Sequence, residues 1–249
     1  MQVAGLTNRG KERARNEDSY FLQTDPAIAL IVVADGMGGH RAGNVASELA
    51  VSTAERYWDD LSPKTSLSEE KSRDLVKGLI LEANKIILDE ASCSSARQGM
   101  GTTLTAGLIC ANRLTIGHIG DSRAYLIDDG SIKLITRDHS LIEQLVQEGQ
   151  VKPEDAQYHP KRHVLTRALG TVADPEIDLT DLQIETGAAL VFCTDGLTNM
   201  VSADEILALY LELPDPEKLV QALVDLANER GGFDNITVVI ATDIGGNEA

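Results

Sequence analysis

A chain of 249 residues suits one large domain or two small ones, and 43% hydrophobic residues suffice for a sizeable core. The formal net charge of −17 argues against nonspecific nucleic-acid binding, which requires a positive surface. The sequence shows no signal-peptide pattern, no apolar run approaching ~20 residues and no paired-cysteine motif, which predicts a cytoplasmic protein without membrane attachment or a disulfide framework.

The N-terminal part predicts three strands followed by two helices. The strands lie at 3–7, 19–22 and 27–34, and the third is nearly all apolar, as in a strand buried on both faces. Apolar residues then recur with helical period over 44–61 and 67–91. Ser66 and Glu69 are placed to form a capping box that opens the second helix.

The middle of the chain returns to short strands. They are predicted at 104–111, 114–119, 123–127 and 132–136, and Asp129-Gly130 marks a hairpin between the last two. The spacing is typical of an antiparallel meander.

The remainder begins with an irregular segment, 139–170, which we interpret as a surface excursion with helix candidates at 141–147 and 153–158. Strands are predicted at 176–183, 189–194 and 235–242. Helices are predicted at 203–212, with Ser202 and Glu205 as a capping box, and at 216–230, with Asp215 as N-cap and Pro216 at the first helical position. Residues 244–249 read as a frayed tail.

This order of elements lacks strict alternation of strand and helix, which argues against a doubly wound parallel sheet. Runs of strands separated by pairs of helices predict an α+β fold with antiparallel sheet and helices packed outside. The composition shows no break and no repeat, so we expect a single domain spanning 1–243.

Five aspartates stand at the ends of predicted strands, where a carboxylate is costly unless it is solvated, hydrogen-bonded or bound to a cation. Since neighbouring antiparallel strands bring the end of one beside the start of the next, all five are expected at one rim of a sheet. They are Asp18, Asp35, Asp121, Asp195 and Asp234.

Each of these aspartates taken alone also fits an ordinary turn or helix cap, and Asp129 is interpreted as a turn residue only. As a set, clustered carboxylates favour hard cations such as Mg²⁺ or Mn²⁺. The chain offers no Cys/His cluster, which argues against zinc.

The loop after Asp35 is rich in glycine over 36–43 and leads into a helix. Such a loop lets backbone approach a ligand closely, and a helix N-terminus favours anions. The order of Gly and Lys matches neither the P-loop nor the dinucleotide fingerprint.

Seven blocks lie in order between residues 13 and 237, in a pattern that extends over residues 3 to about 242. They read R-A-R-N-E-D at 13–18, D-G-M-G-G-H at 35–40, G-M-G-T-T at 99–103, G-H-I-G-D-S-R at 117–123, D-H-S at 138–140, C-T-D-G-L at 193–197 and G-G-F-D-N-I-T at 231–237. In these blocks the chain resembles the metal-dependent protein serine/threonine phosphatases of type 2C (PPM-type), in their compact bacterial form.

The resemblance implies a four-layer αββα sandwich of two antiparallel sheets flanked by helix pairs, with a binuclear Mg or Mn centre at one end. Asp35 would bridge the two ions, the Gly36 carbonyl would bind one of them, and Asp195 and Asp234 would bind the other. Asp18 would serve directly or through water, while Glu17 stays open as an alternative ligand. Asp121, shared with Asp195, matches a weaker third metal site.

Arg13 would clamp the phosphate, which a guanidinium suits. His40 is a candidate general acid. It stands three residues after the position at which animal members carry a histidine, here Met37, so a structural role at the helix entry remains the alternative. His118 and His139 are expected to be structural.

The excursion at about 140–165 matches the family's flap, which lies beside the active site. Arg162 and His163, next to Lys161, are candidates for holding the substrate, against the alternative of a solvated basic patch.

The predicted function is hydrolysis of phosphoserine and phosphothreonine by metal-activated water, by a monomer whose partners are phosphorylated proteins. One rival is a catalytically weak phosphoprotein-binding regulator of the same fold. A second rival is a non-catalytic cation-binding module.

Overall fold

The computed structural model describes residues 1–25, 28–38, 42–61, 67–156 and 158–245. Within these ranges the strands are β1 (Gln2–Asn8), β2 (Asp18–Asp25), β3 (Ile28–Met37), β4 (Gly101–Thr102), β5 (Leu104–Cys110), β6 (Arg113–Ile119), β7 (Arg123–Asp128), β8 (Ser131–Leu134), β9 (Asp178–Gln183), β10 (Ala188–Cys193) and β11 (Ile236–Ile244). The helices are α1 (Gly43–Leu61), α2 (Glu69–Cys93), α3 (Leu141–Gln147), α4 (Pro153–Ala156), α5 (Asp195–Thr198), α6 (Ala203–Glu212) and α7 (Pro216–Glu229), with a 3-10 turn at Ser95–Arg97. None of the helices so described is long and apolar enough to span a membrane.

Two antiparallel sheets form the centre of the molecule. The first sheet has the order β1-β11-β10-β7-β8, and the second has the order β2-β3-β5-β6-β9, with β4 added to the end of β3. Each strand pair is antiparallel. This confirms the predicted α+β class.

Strand β3 shows why the sheets stack face to face. Its apolar side chains alternate, so that Ile31 and Val33 face the first sheet while Leu30 and Val32 face α1 and α2. A separate cluster joins α6 and α7 to the outer face of the first sheet. Three apolar clusters therefore lie between four layers: two sheets in the centre and a layer of helices on each outer face. The predicted αββα sandwich is confirmed.

The predicted meander is wrong. β5 and β6 belong to the second sheet, whereas β7 and β8 belong to the first. The chain changes sheets at Gly120, whose φ is 114°, and a Cβ there would lie 2.5 Å from Thr103 Cβ. Apolar spacing identifies strands but carries no information about which sheet a strand joins.

Two predicted boundaries also need correction. Strand β3 continues beyond Ala34 to Met37 because β4 pairs with Gly36 and Met37, so Asp35 lies within the strand rather than after it. Helix α2 begins at Glu69 with Ser68 as its N-cap, which replaces the predicted capping box; Ser66 lies outside the described residues.

Other local predictions are confirmed. Ser202 and Glu205 form a capping box on α6, and Asp215 caps α7 ahead of Pro216. Asp129 and Gly130 both have positive φ, of 46° and 68°, as a tight hairpin turn requires. β11 runs to Ile244, one residue past the predicted domain end, and the predicted tail from 246 onward lies outside the described residues.

The excursion predicted at 140–165 contains α3 and α4, and backbone contacts join its first and last residues. The Leu141 amide donates to the Val164 carbonyl at 2.8 Å, and Ser140 forms an isolated bridge with Leu165. The two ends of the excursion are therefore fixed to each other.

Candidate metal centre

The five aspartates come from both sheets. Asp18 and Asp35 are paired neighbours on β2 and β3, and Asp121 follows β6 in the same sheet. Asp195 begins α5 directly after β10, and Asp234 precedes β11, both in the first sheet. The expectation of one rim of a single sheet is therefore wrong, because the group spans the adjoining rims of two stacked sheets.

The carboxyl groups lie close enough to act on one another. Burial, followed by the charges of Asp18 and Asp195, holds the pKa of Asp35 well above its ordinary value. Burial and the charge of Asp195 raise the pKa of Asp121 to about 8. Burial and the charge of Asp234 likewise raise the pKa of Asp195. Such a group favours a bound cation, which would offset both the burial and the repulsion.

Asp195 supplies a further sign that the residues present fit a cation. Its Oδ2 accepts a hydrogen bond from Asn199 Nδ2 at 3.1 Å, but its buried Oδ1 has no hydrogen-bond partner in the described part of the chain. Buried oxygens are normally paired, so an unpaired one at a carboxylate cluster suits an ion.

The carboxylates do not enclose an ion by themselves. Across the described ranges, no three His, Cys, Asp or Glu side chains already surround one point closely enough to hold a metal. A divalent ion here would also take backbone oxygen or water, as Mg²⁺ usually does. Gly36, the predicted carbonyl ligand, is buried beside Asp35, where a Cβ would lie 2.2 Å from the Gly43 carbonyl oxygen.

Asp18 is the best-anchored acid of the group. Its Oδ2 accepts hydrogen bonds from Thr194 Oγ1 at 2.8 Å and Thr237 Oγ1 at 2.7 Å. Burial raises the pKa of Asp18 to about 7, although the two hydroxyls counteract part of that rise. The threonines belong to the opposite sheet, and the sequence interpretation missed both.

Glu17, the alternative to Asp18, directly precedes β2, and its half-buried side chain lies beside the first residue of α1. A Cβ on Gly43 would lie 2.8 Å from its Oε2 atom. Burial raises the pKa of Glu17, and the charge of Arg13 lowers it. Glu17 thus faces the N-terminus of a helix, which also favours a negative charge.

Arg13 reaches the group from an exposed loop. Its Nη2 atom donates to Asp234 Oδ2 at 2.6 Å, with the two side chains 52% and 31% exposed. Burial acts to lower the pKa of Arg13, but the charge of Asp234 and then those of Asp35 and Asp195 raise it. The guanidinium therefore lies within the field of three of the aspartates.

Asn235 fastens that loop, and the sequence interpretation did not single it out. Its side-chain Nδ2 donates to the carbonyl oxygens of Arg9 and Arg15 at 2.9 and 2.8 Å, and its Oδ1 accepts from the Glu17 amide at 2.8 Å. One buried amide thus holds both ends of the segment that carries Arg13. The signal in the sequence that could have identified Asn235 is its position directly after Asp234, a candidate metal ligand.

The predicted structural role of two histidines agrees with their contacts. His118 is buried, with Nδ1 2.8 Å from Thr105 Oγ1 and Nε2 3.0 Å from the Arg137 carbonyl oxygen. His139 Nδ1 accepts from the Gly120 amide at 3.1 Å, next to Asp121. Burial lowers the pKa of both rings, that of His118 to about 4, so both are neutral near pH 7.

The remaining candidates lie at the edge of the centre or beyond the description. His163 is exposed, and its charge acts to lower the pKa of Asp195, which puts it beside the cluster. Arg162 is exposed in the same excursion. His40 lies outside the described residues, as do Gly39 and Arg41.

Carboxylate and carbonyl oxygens are hard ligands, so the fold and site together define a carboxylate centre for Mg²⁺ or Mn²⁺. The family model described as "Protein phosphatase 2C" matches residues 7–228. A putative protein phosphatase 2C-type of Streptococcus pyogenes is 40% identical over 242 residues, which is 96% of each chain. The chain therefore belongs to the protein phosphatase 2C family.

Solved structures agree with this placement. The Streptococcus agalactiae serine/threonine phosphatase has 36% identity and a TM-score of 0.87, covering 96% of this chain and 98% of its own. The catalytic domain of the serine/threonine phosphatase PstP, solved with two manganese ions, has 37% identity and a TM-score of 0.84 over 97% of each chain. The predicted family and fold are confirmed.

Proposed function

We propose that this chain is a metal-dependent protein phosphatase that releases phosphate from phosphoserine and phosphothreonine. The observation that carries the proposal is the cluster of aspartates from both sheets, whose charges raise one another's pKa values at one end of the sandwich. Family membership supports the reaction class, and relatives named as serine/threonine phosphatases support the substrate.

The proposed ligands are the residues that meet at this end. Asp35 would bridge two ions, with the Gly36 carbonyl on one side and Asp195 and Asp234 on the other. When bound, the two ions lower the pKa of a water molecule that they share and screen the charge of the phosphate. Asp18 would serve directly or through water, and Asp121 with Asp195 would hold a weaker third ion.

Arg13 would hold the phosphate. It lies at hydrogen-bond distance from Asp234, and its planar fork of donors matches phosphate oxygens. Only the Nη2 atom of Arg13 donates to Asp234, and a guanidinium has further N–H donors, so Arg13 can bind the phosphate while it keeps that contact.

Three residues outside the aspartate cluster complete the proposal. His163 lies beside Asp195, which favours a role for it and for Arg162 in holding the substrate. His40 remains the candidate proton donor to the leaving serine or threonine oxygen, and the helix-entry role remains its alternative.

The setting of the reaction is also proposed. The net charge of −17 argues against nucleic acid as a partner, and the relatives named as serine/threonine phosphatases support phosphorylated proteins. The three cysteines are free thiols, which favours a reducing cytoplasm. We take 1–243 as one catalytic domain with the flap at 140–165, acting as a monomer.

The test is manganese-dependent hydrolysis of phosphoserine and phosphothreonine peptides by the purified chain. Asp35→Asn and Asp234→Asn should each lower kcat/KM by more than about a hundredfold, since each removes a ligand charge from the centre. Asp129→Asn, a turn residue, is the matched control and should keep full activity. A wild type without turnover on any phosphorylated substrate would sink the proposal.

A further inference from the structure

A compact basic loop borders the metal centre of this acidic chain. Residues 9–15, the basic loop, contain four basic residues and one acidic residue, Glu12, in a chain of net charge −17. All four basic side chains are exposed: Arg9, Lys11, Arg13 and Arg15. Positive charge is therefore concentrated at one border of the site.

Three of these four cations have no ion-pair partner in the described part of the chain. Arg13 is paired with Asp234, but Arg9, Lys11 and Arg15 make no ion pair with any residue that the structure describes. The charge of Arg15 reaches Glu17 and acts to lower its pKa, without a salt bridge. Unpaired, exposed cations are available to a partner that approaches the site.

The loop is held in one shape against the centre. Asn235 Nδ2 binds the carbonyl oxygens of Arg9 and Arg15 together, and the Lys11 amide donates to the Gly232 carbonyl at 2.8 Å. At Gly10 the backbone touches Asp234, because a Cβ there would lie 2.2 Å from the Asp234 carbonyl oxygen. The cations are thus carried at a fixed distance from the reacting end of the molecule.

We propose that the basic loop is a docking surface for acidic residues that flank the phosphorylated residue of a protein substrate. The inference rests on the proposed function and names the substrate class for the same site. Arg13 serves the phosphate, so Arg9, Lys11 and Arg15 are left for carboxylates of the neighbouring chain. Such complementarity raises association rates and specificity and weakens as salt screens it.

The experiment compares three phosphothreonine peptides of one core sequence, flanked by glutamate, alanine or lysine. At low salt the wild type should favour the glutamate-flanked peptide over the lysine-flanked one by about tenfold or more in kcat/KM. The preference should shrink at 0.5 M salt, where the Debye length is only about 4 Å. Equal rates on all three peptides would overturn the proposal.

The variant with Arg9→Gln, Lys11→Gln and Arg15→Gln should lose most of the preference while hydrolysing p-nitrophenyl phosphate within about twofold of wild type. The matched control carries Lys77→Gln, Lys85→Gln and Lys133→Gln, which are exposed on α2 and β8 and remove the same charge. It should keep the preference. The single variant Lys11→Gln, which removes one exposed charge, should lose part of the preference for the glutamate-flanked peptide. It replaces the triple variant if that variant does not fold.

Three results would count against the docking surface. A preference that persists in the folded loop variants would exclude it. If the loop variant lost as much activity on p-nitrophenyl phosphate as on the glutamate-flanked peptide, the loop would be assigned to positioning Arg13 instead. Binding of a single-stranded oligonucleotide that the loop variant loses would assign it to nucleic acid. A wild type inactive on p-nitrophenyl phosphate and on all three peptides would refute the proposed function itself, which separates the two failures.

Discussion

At the scale of single residues, Asn235 is the clearest positioning residue. It is not one of the proposed metal or phosphate ligands, but it fixes both ends of the segment that carries Arg13. We expect Asn235→Ala to raise KM about tenfold with a smaller change in kcat, because the loop then holds Arg13 less firmly. In an Arg13→Ala background the same change should alter KM by less than about twofold.

Asn84 offers a matched control for this double-mutant comparison of Asn235 and Arg13. It is also buried, donates from Nδ2 to the Val172 carbonyl and accepts from the Gly170 amide, but it secures a different loop. Asn84→Ala should lower the melting temperature without raising KM. An equal effect of Asn235→Ala in both Arg13 backgrounds would mean that Asn235 contributes stability only.

The sequence points to the acids of the proposed centre but not to the residues that hold them. Asp35, Asp195 and Asp234 stand out because a carboxylate at the end of an apolar strand is unusual. Thr194 and Thr237 give no such signal, since threonine is ordinary in a strand. Their hydroxyls meet Asp18 only after the two sheets stack, which a pattern along one chain does not record.

At the scale of elements, close approach of the two sheets depends on Gly107 in β5. A Cβ there would lie 2.3 Å from Phe192 Cζ on β10. Gly107→Val should destabilise the fold by about 1–3 kcal/mol, because an overpacked core is strained. The free energy of unfolding in urea would measure it.

The partner side chain supplies the control for this prediction. Phe192→Leu shortens the group that the new side chain would meet, so the double variant should recover part of the stability lost in Gly107→Val. Additive losses in the two variants would contradict the proposed contact.

Elements were predictable to different degrees for physical reasons. α6 and α7 were placed closely because their caps are local chemistry, as at Ser202 and Asp215. α5 was missed because its four residues are too few for a helical period. The sheet change at Gly120 was missed because sheet membership is decided by contacts far along the chain.

At the scale of the whole molecule, the carboxylate cluster links stability to pH and to metal. Asp18 and Asp121 have folded-state pKa values raised to about 7 and about 8, above the ordinary 3.8, so the folded state holds more protons than the unfolded state. Their contribution is therefore fully present below about pH 4 and is lost as pH rises through 7 to 8. In EDTA the melting temperature should fall between pH 5 and 8.5.

Manganese should reverse this trend. A bound ion stabilises the charged carboxylates, so saturating Mn²⁺ should raise the melting temperature more at pH 8.5 than at pH 5. Asp121→Asn, which removes one raised pKa, should flatten the pH dependence measured in EDTA. A melting temperature in EDTA that rises over this range would contradict the linkage.

The position of β11 has a consequence for how the protein matures during synthesis. It lies between β1 and β10, so an interior position of the first sheet is filled by the last strand described along the chain. Asp234 and both hydrogen bonds of Asn235 to the basic loop come with that strand's N-terminal end. A nascent chain whose residues from Asp234 onward are still inside the ribosome has its first aspartates outside but lacks the complete aspartate cluster. Activity should therefore appear only after β11 has left the ribosome and paired with β1 and β10.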